Sequence, residues 1–364
     1  MGSIKQNYAN NVLTDGKFDA TDLDGVIPNT NINDNSIDNI TVFGTAGAGI
    51  PSVASDPPSS ALGDVWFNST SNALKYAGVT TAGSWATGGN LNNARYAFGG
   101  AGTQTATLVF GTNNLTESYD GSTWSPEANL ATPRRENGGA GTQTAALAVA
   151  GFTPGLVRVQ TEEYDGSTWT SGGSLGTGRR VIASCGLQTA GLAFSGITQT
   201  GPASNLTDEY DGSTWSPGGN LVTTRVCFGT GTQTAGLAFG GHLSPPGTIQ
   251  SATEEYDGST WTSVNSMNTA RGYLQGFGTQ TASVAQGGST NPIPTGNQST
   301  VVEEYDGTSW TTSTSNTTTR TYGARAGTQA AGLITGGVDA VDVVATTEEW
   351  LGAGSPQTKT ITTA

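Results

Sequence analysis

The segment from Arg225 to Trp261 reads RVCFGTGTQTAGLAFGGHLSPPGTIQSATEEYDGSTW, and its parts recur along most of the 364-residue chain. One part is a pentapeptide, found as GTQTA from Gly102, Gly141, Gly231 and Gly278, as GLQTA from Gly186 and as GTQAA from Gly327. The other is YDGSTW from Tyr119, Tyr164, Tyr210 and Tyr256, with YDGTSW from Tyr305 and a degenerate sixth copy in which Trp350 takes the tyrosine position. Successive tyrosines lie 45 to 49 residues apart. Six copies at this spacing predict six similar structural units.

The composition of the units favours β-hairpins over paired helices. They are rich in Gly, Thr, Ser, Tyr and Trp, and Asp-Gly turns interrupt them. We therefore predict four strands in each unit: strand a after an arginine, strand b in the small apolar run after GTQTA, strand c in the TEEY run, and strand d from the tryptophan. The indole rings are expected to pack between adjacent units. The arginines that open the units are taken as Arg95, Arg135, Arg180, Arg225, Arg271 and Arg320.

The order of arginine, a glycine pair, Tyr-Asp and Trp resembles the kelch repeat. The pair is complete at Gly240-Gly241, Gly287-Gly288 and Gly336-Gly337 and incomplete in the first three units. The resemblance implies an all-β fold, a six-bladed kelch-like β-propeller over residues 86–352. Residues 61–85, with Tyr76 and Trp85, are expected to form a hairpin that closes the last blade, because closure removes exposed strand edges. Residues 353–364 remain as a C-terminal tail.

The first eighty residues indicate a biological context. Residues 1–60 carry isolated apolar residues among Asn, Asp and Thr, too few for a core of their own, so we predict an extended anchoring or oligomerising segment. Residues 16–40 resemble stem segments of bacteriophage tail fibres. GDVWFNSTSNALKYAG, from Gly63 to Gly78, is similar to a hairpin module of phage fibre and other virion proteins. The resemblance implies a virion protein, made in the cytoplasm of the host bacterium, which contacts other virion proteins through residues 1–60 and could form a homotrimer.

Charge and composition narrow the chemistry. The net charge of −14 opposes nucleic-acid binding, and the sequence contains no long apolar run that would predict membrane insertion. His242 is the single histidine, so a histidine-rich metal site is excluded, and we predict no catalytic residues, metal or cofactor. Cys185 and Cys227 are expected to be buried free thiols. The acid pairs before each tyrosine are expected to be structural, one acid pairing with an arginine and the other solvated, because adjacent strand residues face opposite sides.

Two enzymatic propellers serve as comparisons. Copper oxidases with kelch repeats use histidine ligands, which this chain cannot supply. The recurring DGSTW resembles the Asp box of sialidases but is one residue short in its spacer. A sialidase also needs an arginine cluster and a tyrosine with an acid partner, and here the arginines are assigned to the repeats. A propeller glycosidase acting on host polysaccharide therefore stays the alternative from another class.

Candidate binding residues come from loop variation. In the predicted ring, the b–c and d–a loops lie at one end, and only the b–c loops vary strongly in length and sequence. The sequence thus predicts a non-enzymatic virion protein of the fibre or adhesin type whose b–c face contacts a host-surface receptor or glycan. A capsid, neck or tail decoration protein without receptor binding is the alternative with the same layout. The candidate binding residues are Phe152, Arg158, His242, Pro245, Pro246, Asn291 and Pro294.

Overall fold

A computed structural model of the chain describes residues 51–57, 64–79, 82–243, 247–291, 297–354 and 356–360. The chain divides into two compact units, one of residues 82–352 and one of residues 1–81 with 353–364. In the described part of the larger unit, the strands build six four-stranded antiparallel sheets. Of the anchoring segment predicted over residues 1–60, only residues 51–57 are described, and the candidate residues Pro245, Pro246 and Pro294 lie outside the described residues.

Each sheet is one blade with the predicted strand order a, b, c and d. Blades 1 to 3 are β5 (Gly99–Thr103), β6 (Ala106–Phe110), β7 (Thr116–Tyr119), β8 (Trp124–Pro126); β9 (Gly138–Gly141), β10 (Ala146–Val149), β13 (Thr161–Tyr164), β14 (Trp169–Ser171); and β16 (Ala183–Leu187), β17 (Ala190–Phe194), β19 (Thr207–Tyr210), β20 (Trp215–Pro217). Blades 4 to 6 are β21 (Val226–Gly231), β22 (Gly236–His242), β23 (Thr253–Tyr256), β24 (Trp261–Val264); β25 (Gln275–Gly278), β26 (Ser283–Gln286), β27 (Val302–Tyr305), β28 (Trp310–Ser313); and β29 (Ala324–Gly327), β30 (Ala331–Thr335), β31 (Thr347–Leu351), β4 (Ser84–Gly88). Two short ladders at the loop end are β11 (Phe152–Thr153) with β12 (Leu156–Val157), and β15 (Arg179–Arg180) with β18 (Ile197–Thr198).

The a strands form the inner wall of a closed ring. Each a strand contacts the a strand of the next blade, and β29 of blade 6 contacts β5 of blade 1. Gly139 shows why small residues are required there, since a Cβ at this position would lie 2.5 Å from the backbone nitrogen of Gly100 in the preceding blade. The prediction of a six-bladed propeller is therefore confirmed.

The glutamine of GTQTA joins each blade to the one before it. Gln143 of blade 2 donates to the carbonyl oxygens of Thr107 and Tyr119, at 3.2 and 2.7 Å, on strands b and c of blade 1. The same double contact is made by Gln188, Gln233, Gln280 and Gln329. Gln104 of blade 1 closes the circle by donating to Gly332 and Trp350 of blade 6. The pentapeptide recurs because its glutamine makes this hydrogen-bonded contact between blades.

The tryptophan of strand d packs between blades, as predicted. The indole of Trp169 lies 4.8 Å from the ring of Phe110 in blade 1, and its N–H donates to the hydroxyl of Thr116. The indoles that donate to a threonine of the preceding blade in the same way are those of Trp124, Trp215, Trp261 and Trp310.

A buried ion pair joins strand c to the d–a loop of its own blade. In the described residues the pairs are Arg95–Glu117, Arg134–Glu162, Arg179–Asp208, Arg225–Glu254, Arg271–Glu303 and Arg320–Glu348. The assignment of Arg135 and Arg180 as the opening arginines of blades 2 and 3 is therefore wrong. The buried partners are Arg134 and Arg179, which lie seven residues before the pentapeptide glycine, as Arg95, Arg271 and Arg320 also do.

In four of the five acid pairs the second acid is not simply solvated, as the sequence led us to expect, but accepts a hydrogen bond from a tyrosine hydroxyl of the next blade; the exception is Glu304. Glu349 of blade 6 accepts a 2.6 Å hydrogen bond from the hydroxyl of Tyr119 in blade 1, and Glu209 accepts one of 2.5 Å from Tyr256. Burial together with this contact raises the pKa of Tyr256 to about 12. The tyrosine of the repeat thus serves as a further interblade hydrogen-bond donor.

The ring closes with a single strand rather than a hairpin. β4 supplies strand d of blade 6, with Trp85 opposite Trp350 and ring centroids 5.0 Å apart. Tyr76 does not belong to this blade and lies in the other unit, so the prediction of a closing hairpin over residues 61–85 is corrected. β31 has one free edge, and β4, which begins at Ser84, is the strand that pairs with it.

The smaller unit contains a sheet in the order β1 (Ser52–Val53), β2 (Val65–Asn68), β3 (Ala73–Val79) and β32 (Pro356–Thr360). The segment predicted as a tail therefore includes a strand that pairs with β3. Asp56 joins the sheet by accepting hydrogen bonds from Trp66, Asn68 and Lys75, which lower the pKa of its carboxyl to about 2.

Candidate binding site at the loop end of the propeller

The d–a loops turn sharply at the end of the propeller that is predicted to bind a receptor or glycan. In five blades the residue two positions after the buried arginine has a left-handed backbone, with φ between 51° and 58°: Ala97, Glu136, Val181, Tyr273 and Tyr322. This conformation is costly for a side chain such as that of Val181. Backbone hydrogen bonds between blades hold it, because the amides of Ala97 and Glu136 donate to the carbonyls of Tyr322 and Ala97. The loops are therefore fixed relative to one another.

Two arginines and a phenylalanine form what we call the arginine clamp, consisting of Arg135, Glu136, Phe152 and Arg180. The guanidinium carbons of Arg135 and Arg180 each lie 5.5 Å from the centre of the Phe152 ring. Glu136 lies between them, with Oε2 accepting from Arg180 at 2.8 Å and Oε1 3.6 Å from Nε of Arg135. The Arg135 and Phe152 backbones exchange two hydrogen bonds, which fixes the clamp on the loop.

An aromatic row continues from the clamp around the mouth and consists of Tyr96, Tyr322, Tyr273 and His242. Their ring centroids follow at 6.4 Å, 4.9 Å and 4.7 Å. The hydroxyl of Tyr96 lies 3.3 Å from Nη1 of Arg135 and joins the row to the clamp. Burial, followed by the neighbouring Tyr273 and Glu136, raises the pKa of Tyr322. The row and the clamp together contain residues of all six blades.

Below the mouth the channel is filled in two layers. Val181, Val226, Phe228 and Tyr322 pack in one apolar cluster with residues of the blade 3 loop. Deeper, Arg325 extends from β29 and donates to the carbonyls of Gly276 and Gly229, at 3.0 and 3.2 Å, in blades 5 and 4. The equivalent positions in the other blades are Gly100, Gly139, Ser184, Gly229 and Gly276, which leave the space that Arg325 occupies. Burial lowers the pKa of its guanidinium. Arg325 of blade 6 therefore links blades 4 and 5 to its own blade.

The predicted binding residues are brought together only in part. Phe152 belongs to the clamp and His242 to the aromatic row. His242 is buried, donates from Nδ1 to the carbonyl of Leu243, and has no partner for Nε2 within the described residues. Burial lowers the pKa of its imidazole. Arg158 donates from Nε to the hydroxyl of Thr153 within its own hairpin, and the backbone amide of Asn291 donates to the hydroxyl of Ser289.

Sequence reasoning missed most of the mouth. The repeat pattern assigns Arg135 and Arg180 to the blades and so excludes them as candidate binding residues, and it does not single out the tyrosines of the d–a loops. One signal could have found the arginines. A spacing of seven residues to the pentapeptide glycine selects Arg134 and Arg179 as the repeat members and leaves their neighbours without a structural role.

The opposite end of the ring is uniform. Asp165 accepts hydrogen bonds from the amides and hydroxyls of Ser167 and Thr168, and these bonds lower the pKa of its carboxyl to about 2. The same turn closes strands c and d at Asp120, Asp211, Asp257 and Asp306. The Asp-Gly motif is structural, and its aspartates have their acceptor oxygens occupied.

Two further observations concern the described residues alone. They contain no group of three or more His, Cys, Asp or Glu side chains that could hold a metal ion. They contain no helix that is long and apolar enough to span a bilayer. Cys185 and Cys227 are buried free thiols, as predicted, and burial raises the pKa of Cys185 to about 12.

Comparison with known proteins supports the fold. No protein-family model matches the chain, and no curated protein matches its sequence. Among solved structures, that of YjhT is similar, with a TM-score of 0.62 and 12% identity over 74% of this chain and 99% of that chain. At this identity the likeness concerns the fold alone. The chain is a six-bladed β-propeller protein with a smaller β-sheet unit.

Proposed function

We propose that this protein is a virion structural protein of the fibre or adhesin type, whose propeller binds a receptor or glycan of the host surface through the mouth formed by the arginine clamp and the aromatic row. Residues 1–60 attach it to other virion proteins or bring chains together as a homotrimer. In this proposal the blades are kelch repeats that have kept their structural residues.

The arginine clamp is the observation that supports binding. The six buried arginines of the repeat each pair with an acid of their own blade, whereas Arg135 and Arg180 stand beside two of those pairs and keep 43% and 33% of their side chains exposed. The contacts of both guanidinium groups with Phe152 lie outside the recurring glutamine, tyrosine and tryptophan contacts that join every blade to its neighbour. Exposed groups positioned by rigid loops are typical of recognition sites.

The virion context is supported by the first eighty residues. Their resemblance to phage fibre segments and to a virion hairpin module is independent of the propeller. The described hairpin, β2 with β3, has the antiparallel register expected of such a module.

A propeller glycosidase is the second candidate, because the reassigned Arg135 and Arg180 now lie near a tyrosine and a carboxylate. The geometry favours binding over hydrolysis. Glycoside hydrolysis needs a carboxyl group that is free to act as an acid or a nucleophile, whereas Glu136 is committed to both arginines.

The proposal is tested by binding of the full-length protein to host cells. Wild-type protein should bind, and Phe152→Ala, which removes the platform of the clamp, should reduce binding at least roughly tenfold, the effect of losing about 1.4 kcal/mol. Leu156→Ala is the control, since Leu156 is an exposed residue of the same hairpin. Binding to virion proteins alone would favour a decoration protein, and release of sugar from host polysaccharide would favour the glycosidase. Light scattering of the full-length protein beside a form without residues 1–60 tests trimerisation.

A further inference from the structure

We propose that the arginine clamp recognises an anionic saccharide, a sugar ring that carries a carboxylate or phosphate group. This inference rests on the proposed function and names the chemistry of its ligand. It is carried by four features of the mouth: donors without partners, excess positive charge, flat apolar surface and rigidity.

The two arginines of the clamp use only some of their N–H donors within the described residues. Arg135 uses Nη1 for Tyr96 and Nε for Glu136, and Arg180 uses Nη1 for Glu136. Within the described residues no partner is found for Nη2 of Arg135 or for Nε and Nη2 of Arg180. Guanidinium groups bind planar anions through two parallel N–H bonds, and both side chains are open to solvent at this edge. The unused donors therefore suit an anion with two or three oxygen atoms.

The arginine clamp has two guanidinium groups and one carboxylate. Glu136 is the only carboxylate within 4.0 Å of either guanidinium in the described part of the chain, so the clamp keeps one positive charge in excess. The whole protein has a net charge of −14, which repels long polyanions. A local cation in an acidic protein favours a ligand with an isolated negative charge over nucleic acid.

Aromatic rings form an apolar surface at and beside the clamp. Phe152 is half-buried between the two arginines, and Tyr96 and Tyr322 extend the aromatic surface beside them. Because both guanidinium groups lie over the Phe152 ring, the aromatic surface that suits the C–H groups of a sugar is that of the half-buried Tyr96 and Tyr322, and the Tyr96 hydroxyl offers a neutral polar partner next to Arg135. A small inorganic anion would use only the donors, whereas a charged sugar would use both kinds of surface.

Backbone hydrogen bonds hold the loops that carry the two arginines of the clamp. Arg135 is held by two backbone hydrogen bonds to Phe152, and Arg180 pairs with Ile197 in a short ladder. The left-handed residues Glu136 and Val181 lock the loops to neighbouring blades. Such preorganisation lowers the entropy cost of binding.

The experiment uses the full-length protein on an array that carries acidic saccharides, each beside its neutral parent, followed by calorimetry with the best acid, its methyl ester and the corresponding sugar phosphate. We expect the charged sugar to bind roughly 10- to 100-fold more tightly than its neutral parent, the range for hydrogen bonds to charged groups. Added salt should weaken only the charged member. Arg135→Gln and Arg180→Gln should each lose about this factor. The charge-matched control is Lys75→Gln, which removes one positive charge from the smaller sheet and none from the propeller.

Each outcome decides between the two proposals. Equal binding of charged and neutral sugars, or unchanged binding in both clamp variants, overturns the anionic ligand. If host-cell binding is then still lost in Phe152→Ala, the proposed function stands with a neutral ligand. If the wild-type protein binds neither saccharides nor cells, both proposals fail. Thermal unfolding verifies that each variant is folded, and Arg135→Lys and Arg180→Lys replace any glutamine variant that is not.

Discussion

Neighbouring residues of one strand serve different partners in this propeller. Glu303 is fully buried and accepts hydrogen bonds from Arg271 and from the amides of Asn268 and Thr269. Glu304 faces the other side of the sheet, where the next blade has Trp350 at the position of the tyrosine and so offers no hydroxyl. The alternation of side chains along a strand thus separates a structural acid from a dispensable one.

This pair of neighbours gives a prediction. Glu303→Gln leaves the Arg271 guanidinium buried without a counter-charge and should lower the free energy of unfolding by about 3–5 kcal/mol. Glu304→Gln is the matched control and should change it by less than about 0.5 kcal/mol. Urea unfolding followed by tryptophan fluorescence measures both. Equal effects of the two substitutions would contradict the assignment of the buried pair.

At the scale of elements, the turn between strands c and d depends on an ionised aspartate. Asp165 and Asp257 each accept hydrogen bonds from a serine and a threonine that follow, and the pKa of each carboxyl falls from 3.8 to about 2. Because the folded state lowers the pKa, it binds protons less readily than the unfolded state. The stabilisation is complete above the unfolded value and is lost as the pH falls through about 2.

The turns therefore predict a specific pH dependence. The double variant Asp165→Asn, Asp257→Asn should have a lower melting temperature than the wild type above pH 4, because an amide attracts the turn N–H groups less strongly than a carboxylate. The difference should shrink between pH 4 and pH 2, where the wild-type aspartates become protonated. Calorimetry across this range checks it, and a difference that does not change with pH would show that the charge is unimportant.

At the scale of the whole molecule, closure depends on a strand that precedes the repeats. β4 covers the edge of β31 and brings Trp85 onto Trp350. Blade 6 is otherwise a three-stranded sheet with an exposed edge, which would lose both hydrogen bonds and aromatic packing. The ring therefore depends on residues on both sides of the sequence repeat.

Truncation tests this dependence. A chain of residues 82–352 keeps β4 and should unfold in one cooperative transition, whereas a chain of residues 90–352 lacks it. We expect the shorter chain to lose more than about 3 kcal/mol, because it loses both the packing of the half-buried Trp85 on Trp350 and the hydrogen bonds between β4 and β31, and to aggregate through the open edge. Equal melting temperatures of the two chains would show that β4 is not needed for closure.

The sequence by itself determined the blades. Their number, strand order, interblade tryptophans and uniform turns are recorded in short motifs at regular spacing, because every blade meets the same neighbours and needs the same residues at the same places. The small residues of the a strands follow from the same constraint. The sequence also indicated which end varies and placed Phe152 and His242 there.

Only the tertiary structure decided how the mouth is assembled and how the ring closes. A spacing of seven residues to the pentapeptide glycine favours Arg134 over Arg135, but the buried Arg225 lies only six residues before Gly231, so burial against Glu162 is what decides between the two neighbours. The arginine clamp and the aromatic row combine residues of all six blades that are far apart in the chain, so no local motif records their proximity. The closing strand has no repeat signature beyond Trp85, because its position is determined by the free edge of β31 and not by its own neighbours. Repetition is local and can be read along the chain, whereas convergence around an axis exists only after the chain has closed.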